Sequence, residues 1–113
     1  MPKFSFDPEL KEIIDSILLE NPEVKPGNAF GLPGYYTEGK LFASVYESGL
    51  TLKLPKEKCE ELIKNIDGFE PFKPLGRTMS QWVHMTKDDP ESYKDELELI
   101  NLSIVFVKSI KKD

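Results

Sequence analysis

The tripeptide Asp-Pro-Glu occurs twice in this chain, at 7–9 and at 89–91, and it constrains the fold more than any other local feature. An aspartate caps the free N–H groups of a first helical turn, and proline is favoured at the first helical position. A glutamate in that turn faces the positive end of the helix dipole. Both tripeptides therefore predict a helix N-terminus, one near each end of the 113-residue sequence.

Apolar spacing predicts how far the first two helices extend. The first helix has apolar residues at i, i+3, i+4, i+7 and i+8, namely Leu10, Ile13, Ile14, Ile17 and Leu18. Asn21-Pro22 ends it, because the residue before a proline avoids helical geometry. A second helix is predicted from Pro55 to Ile66, with a buried stripe of Cys59, Leu62, Ile63 and Ile66.

The last helix is predicted to continue to about Lys111 and to carry two apolar stripes. The first stripe contains Tyr93, Leu97, Ile100, Ile104 and Val107, and the second contains Leu99, Leu102, Phe106 and Ile110. Together they span a wider arc than packing on one sheet requires. Either the first helix or a partner chain is therefore expected to cover the second stripe.

Residues 26–54 read as a three-stranded meander. The glycines of Glu38-Gly39 and Ser48-Gly49 predict tight turns between the strands. With two-residue turns at those places, the opposed residues are Tyr36 with Leu41, Ala43 with Leu54, and Val45 with Leu52.

Strict alternation along these strands predicts a core face and an outer face. The core face would carry Tyr36, Leu41, Ala43, Val45, Leu52 and Leu54, and the outer face would carry Tyr35, Phe42, Ser44, Tyr46, Thr51 and Lys53. Three aromatic side chains on an outer face, Tyr35, Phe42 and Tyr46, would form an exposed patch of the size that marks an interaction site.

Two further β segments complete the pattern. Phe69–Leu75 contains Pro71 and Pro74, so it is expected to be an edge strand or an extended loop. Residues Thr78 to Met85 alternate as a short strand. The resulting order, α-β-β-β-α-β-β-α, predicts one α+β domain over residues 1–113, a two-layer fold whose mainly antiparallel sheet has its helices on one face.

Composition excludes several classes of function. One cysteine rules out an internal disulfide or a cysteine-cluster metal site, and it suits a reducing cytoplasm. Cys59 is interpreted as a helix core residue and His84, the one histidine, as a half-buried strand residue. We therefore expect no catalytic set, no cofactor and no metal site. A net charge of −5 argues against nucleic acid as a partner, and no apolar run is long enough for a signal peptide or a membrane span.

Arg77 is the one arginine in a chain with fourteen lysines. Where only charge matters, such a composition uses lysine, so an arginine indicates forked, planar hydrogen bonding. Two interpretations stay open: an internal salt bridge, or binding of an anion or small ligand together with Trp82.

Four segments resemble the N-terminal domain of the TfoX (Sxy) competence-regulator family. They are Phe30-Gly31-Leu32, the run from Tyr36 to Val45, Leu50-Thr51-Leu52-Lys53-Leu54, and the run from Pro71 to Val83. The resemblance covers roughly residues 8–110 and implies a secretion-chaperone-like α+β fold. It departs at 28–32, where Asn-Ala-Phe-Gly-Leu stands in place of the usual Met-Phe-Gly-Gly. Proteins of the YjbR/MmcQ type are a competing resemblance.

Full-length competence regulators have two domains and act with a transcription factor, so the resemblance implies a regulatory role through protein contacts. The leading hypothesis is accordingly a non-enzymatic cytoplasmic module that binds another protein or pairs as a homodimer. The pairing face would be either the aromatic patch or the stripe of Leu102, Phe106 and Ile110. An anion-binding domain at Arg77 and Trp82 is the alternative, and an enzyme of an unrecognised type is the third hypothesis.

Overall fold

The computed structural model describes residues 5–29, 31–73 and 76–110. The helical elements are α1 (Pro8–Leu18), α2 (Lys56–Asn65), a 3₁₀ helix (Pro90–Glu96) and α3 (Leu97–Ser109). The strands are β1 (Lys25–Ala29), β2 (Leu32–Thr37), β3 (Lys40–Tyr46), β4 (Gly49–Lys53), β5 (Phe69–Pro71) and β6 (Trp82–Met85).

The six strands form one antiparallel sheet in the order β1-β2-β3-β4-β6-β5. Helices pack against the sheet, which confirms the predicted α+β class. The meander has one strand more than predicted, because β1 precedes the three expected strands and pairs along the edge of β2. β5 is the opposite edge, as its prolines indicated.

Both Asp-Pro-Glu tripeptides begin helices, as predicted. The Asp7 carboxylate accepts a hydrogen bond of 2.9 Å from the N–H of Glu9, and the Asp89 carboxylate accepts one of 3.0 Å from the N–H of Glu91. The second tripeptide differs from the first because it begins the 3₁₀ helix, which is followed directly by α3. Tyr93 fixes this turn to the sheet, because its buried ring lies in the core and its hydroxyl donates to the carbonyl of Met85 at 3.1 Å.

The core lies between the helices and one face of the sheet. Its largest fully buried side chains include Ile14 of α1, Tyr35 of β2, Phe42 of β3, Leu50 and Leu52 of β4, and Ile100 of α3. Ser103 of α3 is also buried there, with its hydroxyl 2.6 Å from the carbonyl oxygen of Lys53 and 3.2 Å from that of Phe42. This polar contact satisfies backbone groups at the point where α3 crosses the sheet.

A β-bulge overturns part of the predicted face assignment. Tyr35 lies opposite Ala43 and Tyr36 opposite Leu41, so Phe42 is an extra residue on β3. Tyr35 and Phe42 are therefore core residues with 0% exposure, not outer-face residues. Tyr36 and Leu41 were predicted on the core face, but the bulge places them on the opposite face, beside Gly34. A Cβ added at Gly34 would lie 3.3 Å from the Tyr36 ring and 3.0 Å from a Leu41 methyl.

The second turn of the meander is also displaced. Tyr46 pairs with Gly49, so the turn residues are Glu47 and Ser48, and Glu47 adopts a positive φ of 53°. Gly49 is instead the first residue of β4, where a Cβ would lie 2.5 Å from the Nε2 of His84 and 2.5 Å from the carbonyl oxygen of Met85. This glycine permits close packing of two strands and does not form the turn.

The pairing of β4 with β3 is shifted by two residues from the predicted register. A shift of two residues preserves the alternation, so the side chains of β4 keep their predicted faces. The observed partners are Ala43 with Leu52 and Val45 with Leu50, in place of the predicted Leu54 and Leu52. The strand predicted over 78–85 is shorter than expected and covers only Trp82–Met85. Before it, the Met79 N–H donates to the Phe72 carbonyl at 3.0 Å, so residues 78–81 belong to the β5–β6 loop.

Candidate functional site

A groove of about 380 Å³ lies between α2, β5 and the start of α3. Its apolar lining residues are Leu62, Ile66, Phe69, Leu99 and Leu102, and its polar lining residues are Asp95, Glu96 and Glu98. We call this surface the α2–α3 groove. Its volume is within the range of about 300–1,000 Å³ that is typical of ligand clefts.

Two helices position the apolar walls of this groove. Leu99 and Leu102 are three residues apart on α3 and so lie on one side of that helix. On the other wall, Leu62 is in the last turns of α2, and Ile66 follows the helix as its C-cap, with extended backbone. Leu62 is buried, whereas Ile66 is 50% exposed and Leu102 is 38% exposed. The groove is therefore open, with apolar side chains in contact with water.

The second stripe of the last helix is thus divided by the fold. Leu99 and Phe106 are half-buried and pack against the core, so Phe106 is not a freely exposed binding residue. Leu102 remains exposed in the groove. The stripe is partly covered by the protein's own core, and Leu102 is its most exposed member.

The polar rim of the groove is acidic. Glu96 pairs with Lys87, with a distance of 2.6 Å between Oε2 and Nζ. Asp95 and Glu98 have no ion pair with any residue in the described ranges. The groove therefore combines apolar walls with two carboxylates that no described residue pairs with.

The aromatic residues predicted as a patch are not brought together on the surface. Tyr35 and Phe42 are in the core, so the exposed patch predicted with Tyr46 does not form. Tyr46 instead joins an outer aromatic cluster, whose members are Tyr46, Phe72, Trp82 and His84. The Tyr46 ring lies edge-on to Phe72 and to His84, with centroids 5.3 Å apart in both contacts.

His84 has a structural role in this cluster. It is buried, and its Nε2 lies 2.9 Å from the carbonyl oxygen of Tyr46, so the ring N–H donates to that acceptor. The sequence predicted a half-buried strand residue; His84 does lie in a strand, β6, but it is buried more fully than predicted.

The described contacts do not join Arg77 to Trp82. Trp82 is buried, and its ring centroid is 6.1 Å from that of Phe72. Arg77 is exposed in the β5–β6 loop, and no hydrogen bond or ion pair links it to another described residue. The internal salt bridge expected for Arg77 is thus not formed within the described part of the chain.

Cys59 is a buried residue of α2, as interpreted from its stripe. Burial raises the pKa of its thiol to about 11, and the sulfur lies 3.5 Å from the carbonyl oxygen of Leu54. The thiol is therefore protonated near neutral pH and is a poor nucleophile. Within residues 5–29, 31–73 and 76–110, no group of three or more His, Cys, Asp or Glu side chains is arranged to hold a metal ion.

The groove residues were not recognised from the sequence. Leu62, Ile66, Leu99 and Leu102 have the spacing of core stripes, so the pattern alone did not separate exposed members from buried ones. One signal was present: Asp95 stands four residues before Leu99 and seven before Leu102, a spacing that places an acid in line with this apolar stripe.

Comparison of the chain with models of protein families, with curated proteins and with solved structures returned no match. The resemblance to the TfoX N-terminal domain therefore stays a prediction. None of the helices in the described ranges has the length and apolar character needed to cross a bilayer.

Proposed function

We propose that this protein is a non-enzymatic protein-binding module and that the α2–α3 groove is its binding site. The observation that carries the proposal is the exposure of Ile66 and Leu102, at 50% and 38%, inside one groove. A partner that inserts apolar side chains there removes this surface from water, which contributes about 25 cal/mol per Å². Apolar grooves between helices commonly bind a partner helix in this way.

The chemistry of the groove favours binding over catalysis. Among the residues that the structure describes, the polar groups that line it are the three carboxylates at its rim, and no described hydroxyl, thiol or imidazole lines it beside them. Nucleophilic catalysis needs such a nucleophile next to an oriented base. Cys59 and His84, which have that chemistry, are both committed to contacts with backbone carbonyls.

The distribution of lysines supports a protein partner over a nucleic acid. Five lysines are ion-paired with acids in the described part of the chain: Lys11, Lys58, Lys87, Lys94 and Lys108. These pairs reduce the number of lysines that are free to contact a phosphate backbone. A single cysteine, buried as a thiol, suits the cytoplasm as the place of action.

Retention of partners from an extract of the native cell tests the proposal. Purified protein is immobilised, and the proteins that it retains are compared by mass spectrometry for wild type, Leu102→Gln and Leu97→Gln. Leu97 is the matched control, because it is 47% exposed on the same helix but does not line the groove. We expect a partner retained by wild type and by Leu97→Gln and lost with Leu102→Gln. Equal retention by both variants contradicts the groove as the binding site.

Anion binding at Arg77 is a second candidate function. It is supported by one observation, that this exposed guanidinium has no ion pair within the described residues. Trp82 contributes less than expected, because its ring is packed against Phe72. A phosphate-dependent rise in melting temperature that is lost with Arg77→Lys is the result that would support this candidate.

A further inference from the structure

We infer that the occupant of the α2–α3 groove is a basic amphipathic helix, with apolar residues on one face and Lys or Arg residues beside them. This inference rests on the proposed function and names the class of partner. It follows from the form of the groove walls, from the charge of the rim, and from the like-charge repulsion that a second copy of the chain would meet in the same groove.

The groove walls suit an apolar helix face. Leu99 and Leu102, about one turn apart on α3, supply one wall, and Leu62 of α2 with Ile66, the C-cap of that helix, supplies the other. Phe69 of β5, which is buried, also lines the groove. A helix with apolar residues at i, i+3 or i+4, and i+7 presents side chains at the same spacing as these walls.

The rim selects the charge of that helix. Asp95 and Glu98 lie on consecutive turns beside the apolar wall, and neither is neutralised by a described residue. Glu96 is already held by Lys87, so this lysine offers no free cation to an acidic partner. The chain's net charge of −5 acts in the same direction by attracting cations and repelling anions.

A second copy of the chain is the competing occupant, and the rim disfavours it. Twofold pairing presents the same surface from both protomers, so Asp95 and Glu98 of each copy would enter one interface. Carboxylates brought together without cations repel each other and lose hydration. The homodimer predicted from the apolar stripe of α3 would therefore have to accommodate like charges that a basic helix would neutralise.

Two synthetic peptides of about 14 residues, each patterned to form an amphipathic helix when bound, test the inference by fluorescence anisotropy. Both place Leu at i, i+3, i+4 and i+7, and their remaining positions are Lys in one peptide and Glu in the other. A scrambled Leu/Lys peptide without helical periodicity controls for non-specific adsorption. We expect the periodic Leu/Lys peptide to bind most tightly and to bind more weakly as salt rises from roughly 50 to roughly 300 mM, because salt screens rim charges.

Variants of the protein separate the rim from the walls. The double variant Asp95→Asn with Glu98→Gln should weaken binding of the Leu/Lys peptide about fivefold, in the range expected for exposed charge pairs. Glu12→Gln, at an exposed acid of α1, is the matched control and should leave the affinity unchanged. Leu102→Gln should weaken binding through loss of apolar contact.

Three outcomes would overturn the inference. Equal affinity for the Leu/Lys and Leu/Glu peptides, or no effect of the rim double variant, would show that the rim does not select charge. A dimer detected by light scattering and dissociated by Leu102→Gln would make the second copy the occupant. In each case the retention experiment still decides separately whether Leu102 mediates protein binding, so the failure of this inference is distinguishable from failure of the proposed function.

Discussion

The phenol of Tyr35 on β2 donates a hydrogen bond of 2.5 Å to the carboxylate of Asp15 on α1. The same carboxylate pairs with Lys11 one turn earlier, at 2.6 Å. Tyr35 reaches α1 because the bulge on β3 turns its side chain toward the core, where it is fully buried. A local irregularity of the sheet thus creates a polar link between the sheet and the first helix.

Tyr35→Phe should reduce the free energy of unfolding by about 1.5 kcal/mol, the lower end of the range for hydrogen bonds to charged groups. The loss is limited because Asp15 keeps its pairing with Lys11. Tyr36→Phe is the matched control: its hydroxyl donates to the Asn28 carbonyl at 2.6 Å in an exposed contact, so we expect a loss of about 0.5 kcal/mol. Urea denaturation of both variants measures the difference. Equal losses would show that the link to α1 adds no stability.

Gly49→Ala should destabilise the protein by about 1–3 kcal/mol, as overpacking of a tight site does. The added Cβ would lie 2.5 Å from the His84 ring and 2.5 Å from the Met85 carbonyl oxygen, and the backbone atom cannot rotate away. Ser48→Ala, one residue earlier in the exposed turn, should change stability by less than about 0.5 kcal/mol. Thermal unfolding compares the two variants. If Gly49→Ala leaves the stability unchanged, the predicted role of this glycine in the turn would be favoured over a role in strand packing.

The helices could be predicted from the sequence because their signals are local. The caps at Asp7 and Asp89 and the spacing of Leu10, Ile14 and Ile17 are contained within a few consecutive residues. The fold class followed from the order of these elements.

The sheet register could not be predicted in the same way. A bulge at Phe42 adds one residue without a distinctive local sequence, and it reverses the faces of Tyr35, Tyr36 and Leu41. Gly49 has the composition of a turn, but its role is set by His84 and Met85 on β6, more than 30 residues later in the sequence. Strand contacts of that range depend on the whole fold.

The α2–α3 groove could not be predicted from the sequence for a related reason. Ile66 and Leu102 belong to stripes whose other members are buried or half-buried, and the exposure of each member depends on which neighbouring elements cover it. The chain places the 3₁₀ helix and β5 beside these residues without covering them. Periodicity indicates which side of a helix is apolar, but it does not indicate how much of that side the protein itself buries.

Arg77→Lys should leave the free energy of unfolding within about 0.5 kcal/mol of wild type, because the exposed guanidinium has no described partner to lose. Had the guanidinium made the forked hydrogen bonds that the sequence indicated, this substitution would instead lower stability or weaken a ligand response. Arg77→Ala is measured beside it to remove the charge as well as the fork. A loss of more than about 1 kcal/mol in Arg77→Lys alone would reinstate a structural role for the forked hydrogen bonds.

Alkaline pH should reduce stability through the thiol of Cys59. In the unfolded chain this thiol titrates at its ordinary pKa of 9.0, whereas burial raises its pKa in the folded protein to about 11. Between these values the unfolded state releases a proton that the folded state retains, so the free energy of unfolding falls as pH rises. Well below pH 9 both states hold the proton, and the contribution of Cys59 is constant. From pH 8 to pH 10 we expect a loss of about 1 kcal/mol from this group, which follows from about 1.4 kcal/mol per pK unit.

Cys59→Ala isolates that contribution. Burial also raises the pKa of Tyr35 and Tyr93, so phenol ionisation destabilises both wild type and variant above about pH 10. The informative quantity is therefore the difference between wild type and Cys59→Ala in how much stability each loses from pH 8 to pH 10. Urea denaturation under reducing conditions should show a smaller loss in the variant, although its stability at pH 8 is lowered by the missing sulfur. Equal losses in the two proteins would mean that the thiol ionises as readily in the folded state as in the unfolded chain.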